Sequence, residues 1–121
     1  MAGGHSFGGR MTTNAAAESP LEGVKGLALF GFPLHQPGKP SVDRAEHLDR
    51  VSLPVLFVSG SRDEFATPEL LEGVAARLGR ATLHWVEGAG HGLDAPKRAR
   101  EGREPVLAEV GRVVAGWAAD I

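Results

Sequence analysis

Three side chains, Ser6, Asp63 and His91, have the types and the chain order for nucleophilic acyl chemistry. Gly4-His5-Ser6-Phe7-Gly8 fits G-x-S-x-G, a sharp strand-to-helix turn whose glycines avoid the collision a Cβ would cause. Gly9 extends the glycine run. Such an elbow lifts the Ser6 hydroxyl off the sheet edge and brings the Phe7 amide to where an oxyanion would develop. A hydroxyl attacks poorly near neutral pH unless an imidazole takes its proton and a carboxylate fixes the tautomer of that imidazole. Asp63, in Ser59-Gly60-Ser61-Arg62-Asp63-Glu64-Phe65, is the candidate acid; His91, in Glu87-Gly88-Ala89-Gly90-His91-Gly92, is the candidate base. Each alone also reads as a turn residue among glycines. Their joint order, each just after an apolar run, favours the functional reading.

The elements that must position these residues are legible as apolar runs. Val24 to Gly31, Leu53 to Gly60 and Ala81 to Glu87 read as strands bounded by turn chemistry. The first two are nearly continuous in apolar residues, as strands covered on both faces are, which predicts a parallel sheet. Helix-like stretches run from Gly8 to Ala17, Val42 to Leu48, Pro68 to Leu78 and Pro105 to Ala118. Thr67 is placed to cap the third, with Pro68 at its first position. Leu70, Leu71, Val74, Ala75 and Leu78 form one apolar stripe on it; Val106, Leu107, Val110, Val113, Val114 and Trp117 form another on the last helix. Strands alternating with helices predict an α/β fold in three layers, α/β/α, with a parallel sheet of about three to four strands and one domain over residues 1–121.

With 121 residues, 42% hydrophobic and 23% charged, the chain has the balance of a globular domain. Its net charge of -2, without clustering of either sign, offers no footprint for nucleic acid or an anionic membrane. The mixed run Lys97 to Glu104 reads as a solvated surface. No cysteine is present, which removes disulfides, thiolate metal sites and a cysteine nucleophile. No apolar run approaches the roughly 20 residues of a membrane-spanning helix, and no signal-peptide layout opens the chain; a cytoplasmic address is expected.

The other histidines differ in their local settings. His35, in Phe32-Pro33-Leu34-His35, and His5, inside the elbow, are candidates for lining a substrate pocket, against a proline-framed turn and simple packing respectively. His47 reads as helix surface, and His84 and Trp85 as sheet packing on opposite faces. No H-E-x-x-H pair or compact ligand set predicts a metal, and no phosphate loop or dinucleotide fingerprint predicts a cofactor.

Four segments, GGHSFGGRM, LALFGFPLHQPGKP, LPVLFVSGSRDEFATPEL and LHWVEGAGHGLDAPK, resemble the carboxyl-terminal half of an α/β hydrolase. More narrowly, the chain resembles the dienelactone-hydrolase-like group, which includes the hydrolase-like subunits of the NSL chromatin complex. The resemblance implies a catalytic triad of Ser6, Asp63 and His91, the residues already singled out. It also implies a fuller sheet, with the elbow on the fifth of about eight strands and a second oxyanion amide from an earlier loop. Losing one such donor typically costs about a hundred- to a thousandfold in turnover. Only Met1 to Gly3 precede the motif, so Val24 to Gly31 is expected to be a bare apolar sheet edge, a template for a homodimer or a completing polypeptide. A truncated coding sequence, a split protein and a self-associating short chain all fit; truncation is favoured because the motifs are whole while the sheet is not. Two functions follow: a serine hydrolase of a small ester, thioester or related acyl substrate, or a noncatalytic interaction module.

Overall fold

Runs of apolar residues too short for a helix pack edge to edge as a parallel sheet in the computed structural model, which describes residues 2–5, 13, 15, 17, 23–93 and 104–121. The strands are β1 (Ala2–His5), β2 (Leu27–Phe30), β3 (Val55–Gly60) and β4 (Ala81–Val86). Their spatial order is their chain order, β1-β2-β3-β4, and every neighbouring pair is parallel. The register aligns Gly4 with Leu29, Leu29 with Phe57 and Phe57 with Leu83. β2 is therefore not the bare edge expected from the three residues that precede the Gly4–Gly8 motif. Ala2–His5 pairs along its whole length, with Ala2 opposite Leu27 and His5 opposite Phe30.

Alternation of side chains along the strands divides the core into two layers. Leu27, Leu29, Val55 and Phe57 face one side, where they meet Leu71 and Val74 of α1 (Pro68–Leu78). Ala28, Leu56 and Val58 face the other, against Trp117 of α2 (Val106–Ala119). The result is the expected three-layer arrangement. The edge Phe32–Phe57 ring contact, 5.9 Å between centroids, continues the first layer toward the carboxyl end of the sheet.

The connection from β2 to β3 holds a 3₁₀ helix (Asp43–Arg50) instead of the α-helix-like stretch expected at Val42 to Leu48. Its buried residues, Ala45 and Leu48, are three apart, and the partly buried Val42 and Val51 continue the same step. A three-residue repeat keeps one face inward only with three residues per turn, so the apolar spacing selects the tighter helix. Thr13, Ala15 and Ala17 are helical, and the Thr13 hydroxyl lies 2.6 Å from Nε2 of His47. His47 thus makes a partly buried contact and is not simply surface.

α1 begins with Pro68 in its first turn and ends at Gly79, whose φ of 70° suits a residue without a Cβ. Thr67 precedes it, but its hydroxyl makes no capping bond. On α2 the apolar stripe is narrower than expected: Leu107 is 87% exposed, while Val106, Val110, Val113 and Val114 pack on the sheet. Glu109 is buried on that same face and meets Nε2 of His84 at 2.7 Å, tying α2 to β4. Among the described residues no helix is long and apolar enough to cross a membrane.

Candidate active site

Parallel strands put all their carboxyl ends at one rim, and the loops that leave this rim carry the chemistry-bearing residues. β3 ends at Gly60 and reaches Asp63 within one turn, closed by the Asp63 N–H donating to the Gly60 carbonyl at 3.1 Å. β4 ends at Val86 and its loop returns at His91. The structure brings these two residues together. Nδ1 of His91 is 3.0 Å from Oδ2 and 3.1 Å from Oδ1 of Asp63.

The carboxylate is fully enclosed, whereas the imidazole is 24% exposed. A carboxylate only accepts, so Nδ1 carries the proton and donates it, leaving Nε2 as the basic nitrogen of the neutral ring. Asp63 is itself aimed by the Phe65 N–H, which donates to Oδ1 at 2.7 Å. The Phe65 ring lies against that of His91, with centroids 4.3 Å apart and planes 34° from parallel. One short turn thus supplies the carboxylate, the amide that orients it and the aromatic face against the imidazole.

The separation between the two loops is fixed by backbone bonds. Ser61 N–H donates to the Val86 carbonyl at 3.1 Å, and Arg62 N–H to the Ala89 carbonyl at 2.8 Å. Gly88 N–H donates back to the Ser61 hydroxyl at 2.8 Å. This lacing requires close approach at Gly60, where a Cβ would run into the carbonyl oxygens of Ala89 and Gly90 and lie 2.6 Å from the Ala89 carbonyl carbon. Backbone cannot step aside as a side chain can. Gly60, Ser61 and Phe65 were not singled out from the sequence; Gly60 alone had a signal, as a glycine ending an apolar run.

His35, expected to line a substrate pocket, is 4% exposed, and both ring nitrogens are engaged. Nδ1 lies 2.8 Å from the Gln36 carbonyl, and Nε2 lies 2.7 Å from the Thr67 hydroxyl and 2.9 Å from the Thr67 amide that donates to it. Ser6 and Phe7 lie outside the described residues; so does the His5 side chain, although the His5 backbone closes β1. β1 ends with His5 at the same rim as the Asp63–His91 pair, and Ser6 is the next residue in the sequence. A hollow of about 660 Å³, bordered by Pro54, Arg80, Trp117 and Ile121, sits at the opposite end of the strands and contains neither member of the pair.

The fold and the rim geometry define an α/β hydrolase. Residues 1–119 match the family described as alpha/beta hydrolase domain, and the chain belongs to that family. A curated relative, the (R)-3-hydroxydecanoyl-ACP:CoA transacylase of Pseudomonas putida, is 32% identical over 68 residues, 55% of this chain and 23% of that protein. Solved structures of similar fold include a predicted CIB-like hydrolase from Thermoplasma acidophilum, with a TM-score of 0.68 at 21% identity over 98% of this chain and 49% of that one. The esterase domain of a Rhodothermus marinus protein gives 0.66 at 19% identity, covering 95% of this chain and 58% of that one. The N-formylmaleamic acid deformylase Nfo of Pseudomonas putida gives 0.63 at 16%, covering 74% and 59%. The chain thus spans 49% to 59% of these hydrolase chains and a smaller part of the transacylase.

Proposed function

We propose that the protein is a serine hydrolase acting on a small ester, thioester or related acyl substrate. The observation that carries this reading is the His91–Asp63 pair, an imidazole whose Nδ1 is bound to an enclosed carboxylate at the rim where β1 ends, one residue before Ser6 in the sequence. In the proposed reaction the Ser6 hydroxyl oxygen attacks the acyl carbonyl while Nε2 of His91 takes its proton. Asp63 holds the imidazolium that forms, and the Phe7 amide donates to the tetrahedral oxyanion. The imidazolium then protonates the departing alcohol or thiol. Water, activated by the same nitrogen, releases the acid from the acyl-enzyme and restores Ser6.

The acyl-transfer name of the Pseudomonas relative supports thioesters within this class, and the esterase and deformylase among the structural neighbours support hydrolysis. The dienelactone-hydrolase-like grouping rests on the four motif segments. A fluorophosphonate probe, which reacts only with an activated serine, tests the mechanism directly. The protein should be labelled and should turn over an activated short-chain ester, while Ser6→Ala should do neither; equal behaviour of the two would reject it.

A second reading is an interaction module, favoured by the outer side of β1, which pairs only with β2 among the described residues. A strand edge of this kind accepts another strand, from a second copy or a completing polypeptide. Light scattering after size exclusion separates the readings: a labelled, active monomer supports the hydrolase, and an unlabelled dimer or hetero-complex supports the module.

A further inference from the structure

We propose that His35 is a positioning residue that braces the Asp63–Thr67 turn and thereby holds Phe65 and Asp63 against His91. The Nδ1–H donates to the Gln36 carbonyl, so Nε2 is an acceptor, and it faces the N–H and hydroxyl of Thr67. The His35 backbone N–H donates to the Phe65 carbonyl at 2.9 Å, so the residue grips the turn at both Phe65 and Thr67. Between these grips lie the two features the pair depends on: the Phe65 amide that orients the carboxylate and the Phe65 ring against the imidazole.

No other described side chain is bonded to the Thr67 N–H, and Pro68, the next residue, has no N–H. The Thr67 amide at the entry of α1 therefore depends on an imidazole contributed by the loop after β2. A turn that loses this acceptor must rotate Thr67 toward another partner, and Phe65 moves with it. Asp63 would then lose the amide that orients it, and His91 the ring packed against it.

The brace separates two polar substitutions of similar size. His35→Gln places an amide oxygen near the Nε2 position and keeps the acceptor for Thr67. His35→Asn places its amide near Nδ1, keeps the bond to Gln36 and loses the acceptor. The readout is the far-downfield proton resonance of the His91 Nδ1–H bound to Asp63, recorded with far-UV circular dichroism as the check on folding.

The Gln variant should retain this resonance, and the Asn variant should lose or broaden it with the spectrum of the fold unchanged. Retention in both, or equal loss in both, would overturn the brace. Exchange of the wild-type amides gives a test free of variants: the Thr67 N–H should be as protected as that of Phe65, and a freely exchanging Thr67 amide would sink the idea. The effect on turnover rests on the hydrolase reading, since small misplacements at a reacting centre cost on the order of a hundredfold. Fluorophosphonate labelling should slow about tenfold to a hundredfold in the Asn variant and within about threefold in the Gln variant. A wild type that is never labelled but whose resonance follows this pattern would remove the hydrolase reading and leave the brace intact.

Discussion

Asp63 acts on two neighbours at once, which makes its charge and its acceptor geometry inseparable. Oδ1 accepts from the Phe65 amide while both oxygens face Nδ1 of His91. In Asp63→Asn the amide oxygen can satisfy the Phe65 N–H, but the NH₂ then points at Nδ1. Two donors cannot face one another, so the ring must carry its proton on Nε2, which in the proposed reaction bars it from taking one from Ser6. Turnover of an activated ester should fall by roughly 10⁴, the scale seen when a triad carboxylate is replaced by an amide with its geometry kept. The thermal midpoint should change little by comparison. A variant retaining more than about a tenth of the activity would show that the tautomer does not matter here.

Ser61 and Gly60 set how far the two loops stand apart, a property of the strand ends more than of any single side chain. Gly60→Ala would force a methyl group against two backbone carbonyls, an overpacking that typically costs about 1–3 kcal/mol and relaxes only by separating the loops. It should lower stability in urea and, unlike a remote core change of equal severity, also abolish labelling of Ser6. Trp117→Ala provides that remote comparison. The residue is 8% exposed and packs against the sheet, and truncation should cost about 3–5 kcal/mol by denaturant titration while leaving the Asp63–His91 resonance in place. Loss of that resonance in a folded Trp117→Ala protein would mean that the helix layer supports the rim directly.

Elements were legible in the sequence to different degrees for physical reasons. β3 was visible because burial on both faces selects the apolar run Val55-Leu56-Phe57-Val58, and α1 because its stripe, its proline and its glycine all agree. β1 was hidden: Ala2-Gly3-Gly4-His5 has no β-branched or aromatic residue, and only pairing with β2 makes it a strand. Asp63 and His91 were legible because a turn acid and a loop base each follow a strand. The contacts of His35 were not legible, because its partner Thr67 is 32 residues away and no local pattern records such a contact. Phe65 and Ser61 escaped for the same reason, since their contacts form only when two strand ends are brought side by side. Leu107 was wrongly included in the apolar stripe because adjacency to Val106 says nothing about which way the helix faces.

Stability across the whole molecule should fall from the centre of the sheet toward its sides. β3 is paired on both sides, every one of its residues is buried, and it separates the two core layers; opening it requires opening both. Its amides should be the slowest to exchange with deuterium, approaching the global unfolding free energy. β4 is paired along six residues on one side and partly exposed, so its exchange should be faster. β1 has four residues, two of them glycine, and one described neighbour, so its amides should exchange fastest of the four strands in dilute solution. On the interaction-module reading, pairing with a second copy adds ladder bonds to the outer side of β1, and its protection should then rise with protein concentration while that of β4 stays constant, in step with a rise in molar mass by light scattering. Constant protection at β1 with a constant monomer mass would exclude self-association through that edge, and β1 protected as strongly as β3 at the lowest concentration would refute the stability gradient itself.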